Sequence, residues 1–175
     1  MSENIRVLIS EEQIEKRILE MAKEISEFYK GEEVHLVSVL KGGVFFTCEL
    51  AKRLTVPVSI DFMSVSSYGN DTKSSGVVKV IKDLDEAIEG KNVLVVEDII
   101  DSGRTLSYLM ENLKSRKPKS LHLCTLLDKP ERRVIDVQVD YTGFAIPDEF
   151  VVGYGLDYMQ HYRNLPYIGV VELEA

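Results

Sequence analysis

The sequence predicts an α/β fold whose mainly parallel central sheet is flanked by helices, and three observations predict it. Val93 to Val96 is an apolar, largely β-branched run without alternation, which a strand covered on both faces requires. Val34 to Leu40 is a second buried run, broken by Lys41-Gly42-Gly43 before VFFTCELAKRL resumes with helical character. After residues 97–105, Leu106, Leu109, Met110 and Leu113 recur at helical spacing, so strand, small-residue turn and helix occur twice.

The remaining elements follow in order. Ser10-Glu11-Glu12-Gln13 is a capping box, and Ile14, Ile18, Met21, Ile25 and Phe28 continue it as a packing helix that Gly31 is expected to stop. Residues 58–65 read as a strand. The polar stretch SSYGNDTKSSG at 66–76 has no periodicity and reads as a mobile loop, after which VVKVIK pairs back. Pro118 ends the helix that starts near Leu106, and SLHLCTLLD forms the next strand, ending at Asp128-Lys129-Pro130. Short strands fill the remainder. No linker, repeat or low-complexity segment divides the chain, so residues 1–175 are expected to form a single domain.

The 175 residues are 45% hydrophobic, enough for one sizeable core, and carry a net charge of −8. That acidity argues against a nucleic-acid or anionic-membrane surface, and an anionic substrate must be held by a few local cations. Cys48 and Cys124 stand apart, without CxxC spacing or clustered histidines, so neither a disulfide nor a zinc site is expected. Without a signal peptide or membrane-length apolar run, the expected compartment is the cytoplasm.

The chemistry concentrates at NVLVVEDIIDSGRT, residues 92–105. Glu97 and Asp98 lie at the end of the strand, and Asp101-Ser102-Gly103-Arg104-Thr105 opens the helix. Free backbone N–H groups at a helix start, with the dipole behind them, suit a phosphate monoester. The stretch is neither GxxxxGK[ST] nor GxGxxG, so triphosphate and dinucleotide readings are poorly supported. Carboxylates beside an anion site must meet something other than the anion: a ribose diol, a metal ion or a base proton.

This string closely resembles the signature of the type I phosphoribosyltransferases. The resemblance implies their fold, with a small hood formed by the terminal segments. It also implies that Glu97 and Asp98 hold the ribose hydroxyls of phosphoribosyl pyrophosphate, while Asp101, Ser102, Gly103, Arg104 and Thr105 cradle its 5-phosphate. Leu40-Lys41-Gly42-Gly43 resembles the family's pyrophosphate loop, where a non-proline cis peptide often precedes the lysine. Ser67 and Tyr68 fall on the family's lid.

Lys129, IPDEFVVGYGLDY and HYRNLP resemble the 6-oxopurine branch of that family, the hypoxanthine-guanine enzymes. Carried over, the branch implies Asp101 as general base near purine N7, Lys129 donating to O6, Phe150 stacking on the ring and Val151 offering backbone groups to its edge. Lys41 and Arg163 would face the pyrophosphate, and Asp157, with Glu97 and Asp98, would meet magnesium. The implied partners are phosphoribosyl pyrophosphate, 6-oxopurine bases and nucleoside monophosphates, in a homo-oligomer, dimer or tetramer. Two departures are local: Arg104 stands where other members have lysine, and Pro130-Glu131-Arg132-Arg133 varies from some members. A regulator of the same fold that binds nucleic acid would predict a basic face and often lost catalytic residues, whereas this chain is acidic and retains Asp101, Lys129, Ser67 and Tyr68.

Overall fold

A computed structural model describes residues 4–67 and 78–172. The main sheet has six strands: β2 (Val34–Val39), β3 (Val58–Ser67), β4 (Val78–Lys82), β5 (Asn92–Ile100), β6 (Ser120–Asp128) and β7 (Tyr141–Ala145), in the order β4-β3-β2-β5-β6-β7. All neighbours are parallel except β3 and β4. Helices α1 (Glu11–Phe28) and α2 (Val44–Ala51) contribute to one apolar cluster, and α3 (Arg104–Lys114) contributes to another. Alternation along the strands separates the two: Leu36, Leu94 and Val96 belong to the first, Val37, Val93 and Val95 to the second. Two covered faces explain why β2 is buried at every residue.

The capping box forms as expected: the Gln13 N–H donates to Ser10 Oγ at 3.2 Å and the Ser10 N–H to Gln13 Oε1 at 2.9 Å. Three local expectations are corrected. The α1 helix ends at Phe28 with Tyr29 as its C-cap, before Gly31, and Phe28 is exposed rather than packed inward. The β5 strand continues through both acids to Ile100, because its ladder with β6 runs on to the Ile100–Asp128 pair. The third concerns β1 (Asn4–Ile9), which has no counterpart in the sequence reading. It pairs with β9 (Ile168–Glu172), which pairs in turn with β8 (Val151–Val152), all antiparallel. Strands from the two ends of the chain thus make the expected hood. Lid residues from Tyr68 onward lie outside the described residues, and Ser67 closes β3.

Chain order makes the site. From β2 the sheet grows outward to β3 on one side, and then resumes at β5 on the other. Open parallel sheets leave a crevice at the carboxyl ends of strands where the order reverses this way. Here that crevice is bounded by the Lys41-Gly42-Gly43 loop after β2 and by the end of β5.

Candidate active site

The two loops meet directly. A Cβ built on Gly42 would lie 1.8 Å from Asp98 Oδ2, so only a residue without a side chain leaves that carboxylate in place. The Leu40–Lys41 peptide is cis, as in the family loop it resembles. Asp98 Oδ1 accepts from the Ile99 N–H at 2.7 Å, which fixes the carboxylate against its own strand. Gly42→Ala should therefore cost activity more than stability. Displacing Asp98 by about an ångström is expected to lower kcat/KM by on the order of 10²-fold, with thermal unfolding little changed; steady-state kinetics beside a melting curve reads both.

Glu97 is buried, and its carboxyl is held well above the usual carboxylate range, first by burial and then by the neighbouring Asp98 charge. The protonated form is thus favoured on folding. Its contribution to stability is complete below the ordinary value of 4.5 and is lost as pH rises through the higher folded value. At neutral pH, Glu97→Gln should then raise the melting temperature of the ligand-free protein. Calorimetry at pH 7.5 and pH 4 tests it: the gain should shrink at the lower pH.

Past β5 the chain turns at Gly103, φ +84°, where a Cβ would also lie 2.4 Å from the Ile135 carbonyl oxygen. As N-cap of α3, Gly103 brings no side chain to satisfy the first helical N–H groups. A cavity of about 140 Å³ opens there, lined by Glu97, Ile99, Ile100, Asp101, Ser102, Gly103, Thr105 and Leu106. The Arg104 N–H donates to Ser102 Oγ at 3.4 Å, and a small concavity edged by helix-start amides and the Ser102 and Thr105 hydroxyls is what a phosphate monoester needs. The loop is braced from behind, since the Ser102 carbonyl accepts from the N–H groups of Val134 and Ile135 at 2.9 and 3.1 Å.

The other candidates surround this core. Lys129 follows β6, and its N–H donates to the Ile100 carbonyl at 3.0 Å, which ties it to the end of β5. Its side chain is 9% exposed, with Nζ 3.9 Å from Asp148 Oδ1. Phe150 is 53% exposed and braced edge-on by Tyr158, ring centroids 5.6 Å apart. Val151 is buried in the apolar core, so only its backbone can serve a ligand. Arg163 Nη1 donates to the Gly155 carbonyl at 2.6 Å, and its Nη2 lies 3.3 Å from Asp157 Oδ1. Among the described residues, no three His, Cys, Asp or Glu side chains gather into a metal-holding group, so Glu97, Asp98 and Asp157 do not form one cage.

Four residues near these groups were not singled out as site residues in the sequence. Gln160 Oε1 accepts from Lys41 Nζ at 3.3 Å and from Arg163 Nη2 at 3.2 Å, bridging the two cations. Its left-handed backbone, φ +67°, and its N–H bond to Asp157 Oδ2 at 2.9 Å give no sign in composition or period. Arg132 Nε donates to Asp101 Oδ1 at 2.8 Å, and Arg132 also reaches Asp148. Tyr158 braces Phe150 as described.

This set of loops at one switch point is shared with known proteins. Residues 8–159 match the sequence model of the phosphoribosyl transferase domain. The chain belongs to the phosphoribosyltransferase family. A Salmonella typhimurium relative named hypoxanthine phosphoribosyltransferase is 54% identical over 175 residues, covering 99% of this chain and 98% of its own. The bifunctional protein TilS/HprT of Listeria monocytogenes is 55% identical over 169 residues, and the chain spans 26% of its length. A solved hypoxanthine-guanine phosphoribosyltransferase of Bacillus anthracis superposes with a TM-score of 0.92 at 52% identity, covering 97% of this chain and 100% of that one. The sheet and hood are accordingly those of the type I phosphoribosyltransferase fold.

Proposed function

We propose that this phosphoribosyltransferase is a purine-salvage enzyme that transfers the 5-phosphoribosyl group from phosphoribosyl pyrophosphate to hypoxanthine, and to guanine, releasing pyrophosphate and IMP or GMP. The observation that carries the reading is the meeting of Gly42 with Asp98, which brings the Lys41-Gly42-Gly43 loop against the acidic pair at the sheet's switch point. The names of the relatives aligned over nearly their full length support the choice of base.

In this reading the 5-phosphate sits on the amides of residues 101–105, with the Ser102 and Thr105 hydroxyls and Arg104 beside them, and the ribose diol on Glu97 and Asp98. The purine lies on Phe150, with Lys129 at O6 and the backbone of Val151 at its edge. A purine nitrogen forms the bond to C1 of the ribose as the bond from C1 to pyrophosphate breaks. Pyrophosphate takes the electron pair, and the proton lost by the purine passes to Asp101. Lys41 and Arg163, spaced by Gln160, stabilise the charge arriving on the leaving group. A lid at 66–76, with Ser67 and Tyr68, would keep water from the ribosyl cation.

Magnesium fits the chemistry of the donor set: two carboxylates, Glu97 and Asp98, adjoin the proposed ribose position, and Asp157 would meet the ion's hydration shell. Lacking a complete protein cage, such a site suits an ion that keeps waters and substrate oxygens. When bound, magnesium neutralises the pyrophosphate.

A single domain working in the cytoplasm accords with two free cysteines, and no described helix is long and apolar enough to cross a membrane. A dimer or tetramer accords with the exposed Phe45 beside the 160–164 turn, and sedimentation velocity reads the assembly. The central test is incubation with phosphoribosyl pyrophosphate, magnesium and hypoxanthine. IMP and pyrophosphate in equal amounts are expected, and no IMP from a folded sample would reject the function.

A further inference from the structure

Arg132 belongs to the Pro130-Glu131-Arg132-Arg133 segment, which the function proposed above does not use. Pro130 starts a short 3-10 turn with Lys129 as its N-cap, and the Arg132 N–H donates to the Lys129 carbonyl at 3.1 Å. Lys129 and Arg132, at the two ends of this turn, both reach Asp148. From there the Arg132 guanidinium meets Asp101 Oδ1 at 2.8 Å through Nε, and Asp148 Oδ2 at 3.6 Å through Nη1. Asp148 in turn offers Oδ1 to Lys129 Nζ at 3.9 Å. Four alternating charges thus run from the phosphate loop to the purine-reading lysine. Beneath them, Arg133 pairs with Asp128 and donates through Nε to the Asp101 carbonyl at 3.3 Å, which anchors the same residue by its backbone.

We propose that Arg132 is a positioning residue for the transfer: its guanidinium fixes the Asp101 carboxylate toward the purine nitrogen and ties it through Asp148 to the lysine that reads O6. The proposal rests on the assignment of Asp101 and Lys129 made above. Oδ1 of Asp101 is taken by Arg132, while Oδ2 accepts no hydrogen bond from any described residue and is left for the purine proton. Both partners of the pair are about half exposed, at 51% and 48%, and exposed ion pairs contribute little to stability. The role is therefore one that a melting curve would miss and that purine kinetics would detect. It also gives a reason for an arginine: the planar fork can serve two carboxylates at once, whereas an ammonium meets them as a point charge.

The test is steady-state kinetics of Arg132→Met and Arg132→Lys, alone and combined with Asp101→Asn, varying hypoxanthine and phosphoribosyl pyrophosphate separately. Arg132→Met should lower kcat/KM for hypoxanthine by about tenfold or more, toward the lower end of what a displaced acid–base group costs. KM for phosphoribosyl pyrophosphate should stay within about twofold, and Arg132→Lys should recover part of the loss. In the Asp101→Asn background the Arg132→Met loss should largely vanish, because residues acting as a unit are not additive. Near-normal turnover of Asp101→Asn would overturn the underlying assignment and the proposal with it. An impaired Asp101→Asn beside an unimpaired Arg132→Met, or a loss of equal size in both backgrounds, would overturn the proposal alone.

Discussion

Asp101→Asn is expected to turn over roughly 10- to 10⁴-fold more slowly than the native chain, the range for removing a general acid–base group. Asparagine keeps the size and the hydrogen-bonding oxygen of the carboxylate, so the turn at Gly103 and the brace on the Ser102 carbonyl should survive. What it removes is the proton acceptor. Affinity for phosphoribosyl pyrophosphate should accordingly change little, because in the proposed reading the 5-phosphate would be held by backbone amides and hydroxyls rather than by this side chain. Arg132 would lose a charged partner, which at an exposed pair has little consequence for folding. Single-turnover measurement beside equilibrium binding separates the two effects. A variant that binds normally and turns over normally would remove Asp101 from the chemistry, and one that fails to bind would move it into the phosphate cradle.

Adenine is expected to be rejected by a large factor, and the burial of Lys129 is the reason. Lys129 is 7% exposed as a residue, and its nearest described anion, Asp148, is 3.9 Å away. It offers only donors, so the O6 carbonyl of hypoxanthine or guanine completes its bonding, while the amino group of adenine would set donor against donor in a desolvated site. Sites built to bond one polar group reject its mismatch by about 10⁴- to 10⁵-fold when the pairing is fully buried. Hypoxanthine and guanine should be substrates. Xanthine should be poor, since its 2-oxo group would oppose backbone carbonyls near Val151 and Asp157. Measuring kcat/KM for the four bases tests this: adenine within about tenfold of hypoxanthine would mean that Lys129 does not read O6, because leaving a buried donor unpaired should cost more. Lys129→Met should then narrow the gap by losing activity on hypoxanthine.

Strand-turn-helix at residues 92–113 was legible in the sequence because its signals are local. A fully apolar run needs two covered faces, which β5 has, and helical spacing from Leu106 to Leu113 needs one apolar face, which α3 presents. The capping box of α1 was legible for the same reason. So were the acidic pair, the small-residue loop that opens α3, and Lys129 placed just past a strand.

What the tertiary structure alone decided is how distant side chains share a partner. The reversal of strand order between β2 and β5 puts Gly42 against Asp98, though 56 positions separate them in the numbering. Strand β1 has partners only because β9 returns to it from the other end of the chain, and an edge strand of mixed polarity carries no period to announce that. Gln160 bridges Lys41 and Arg163, and Arg132 bridges Asp101 and Asp148, through side-chain hydrogen bonds and ion pairs between segments. Such contacts depend on where the backbone aims each Cβ, which residue type and spacing by themselves do not disclose. Sequence therefore determined which groups the chain offers and on which elements they stand, and the fold determined which of them meet, because burial fixes strand order and register before any polar pair can form.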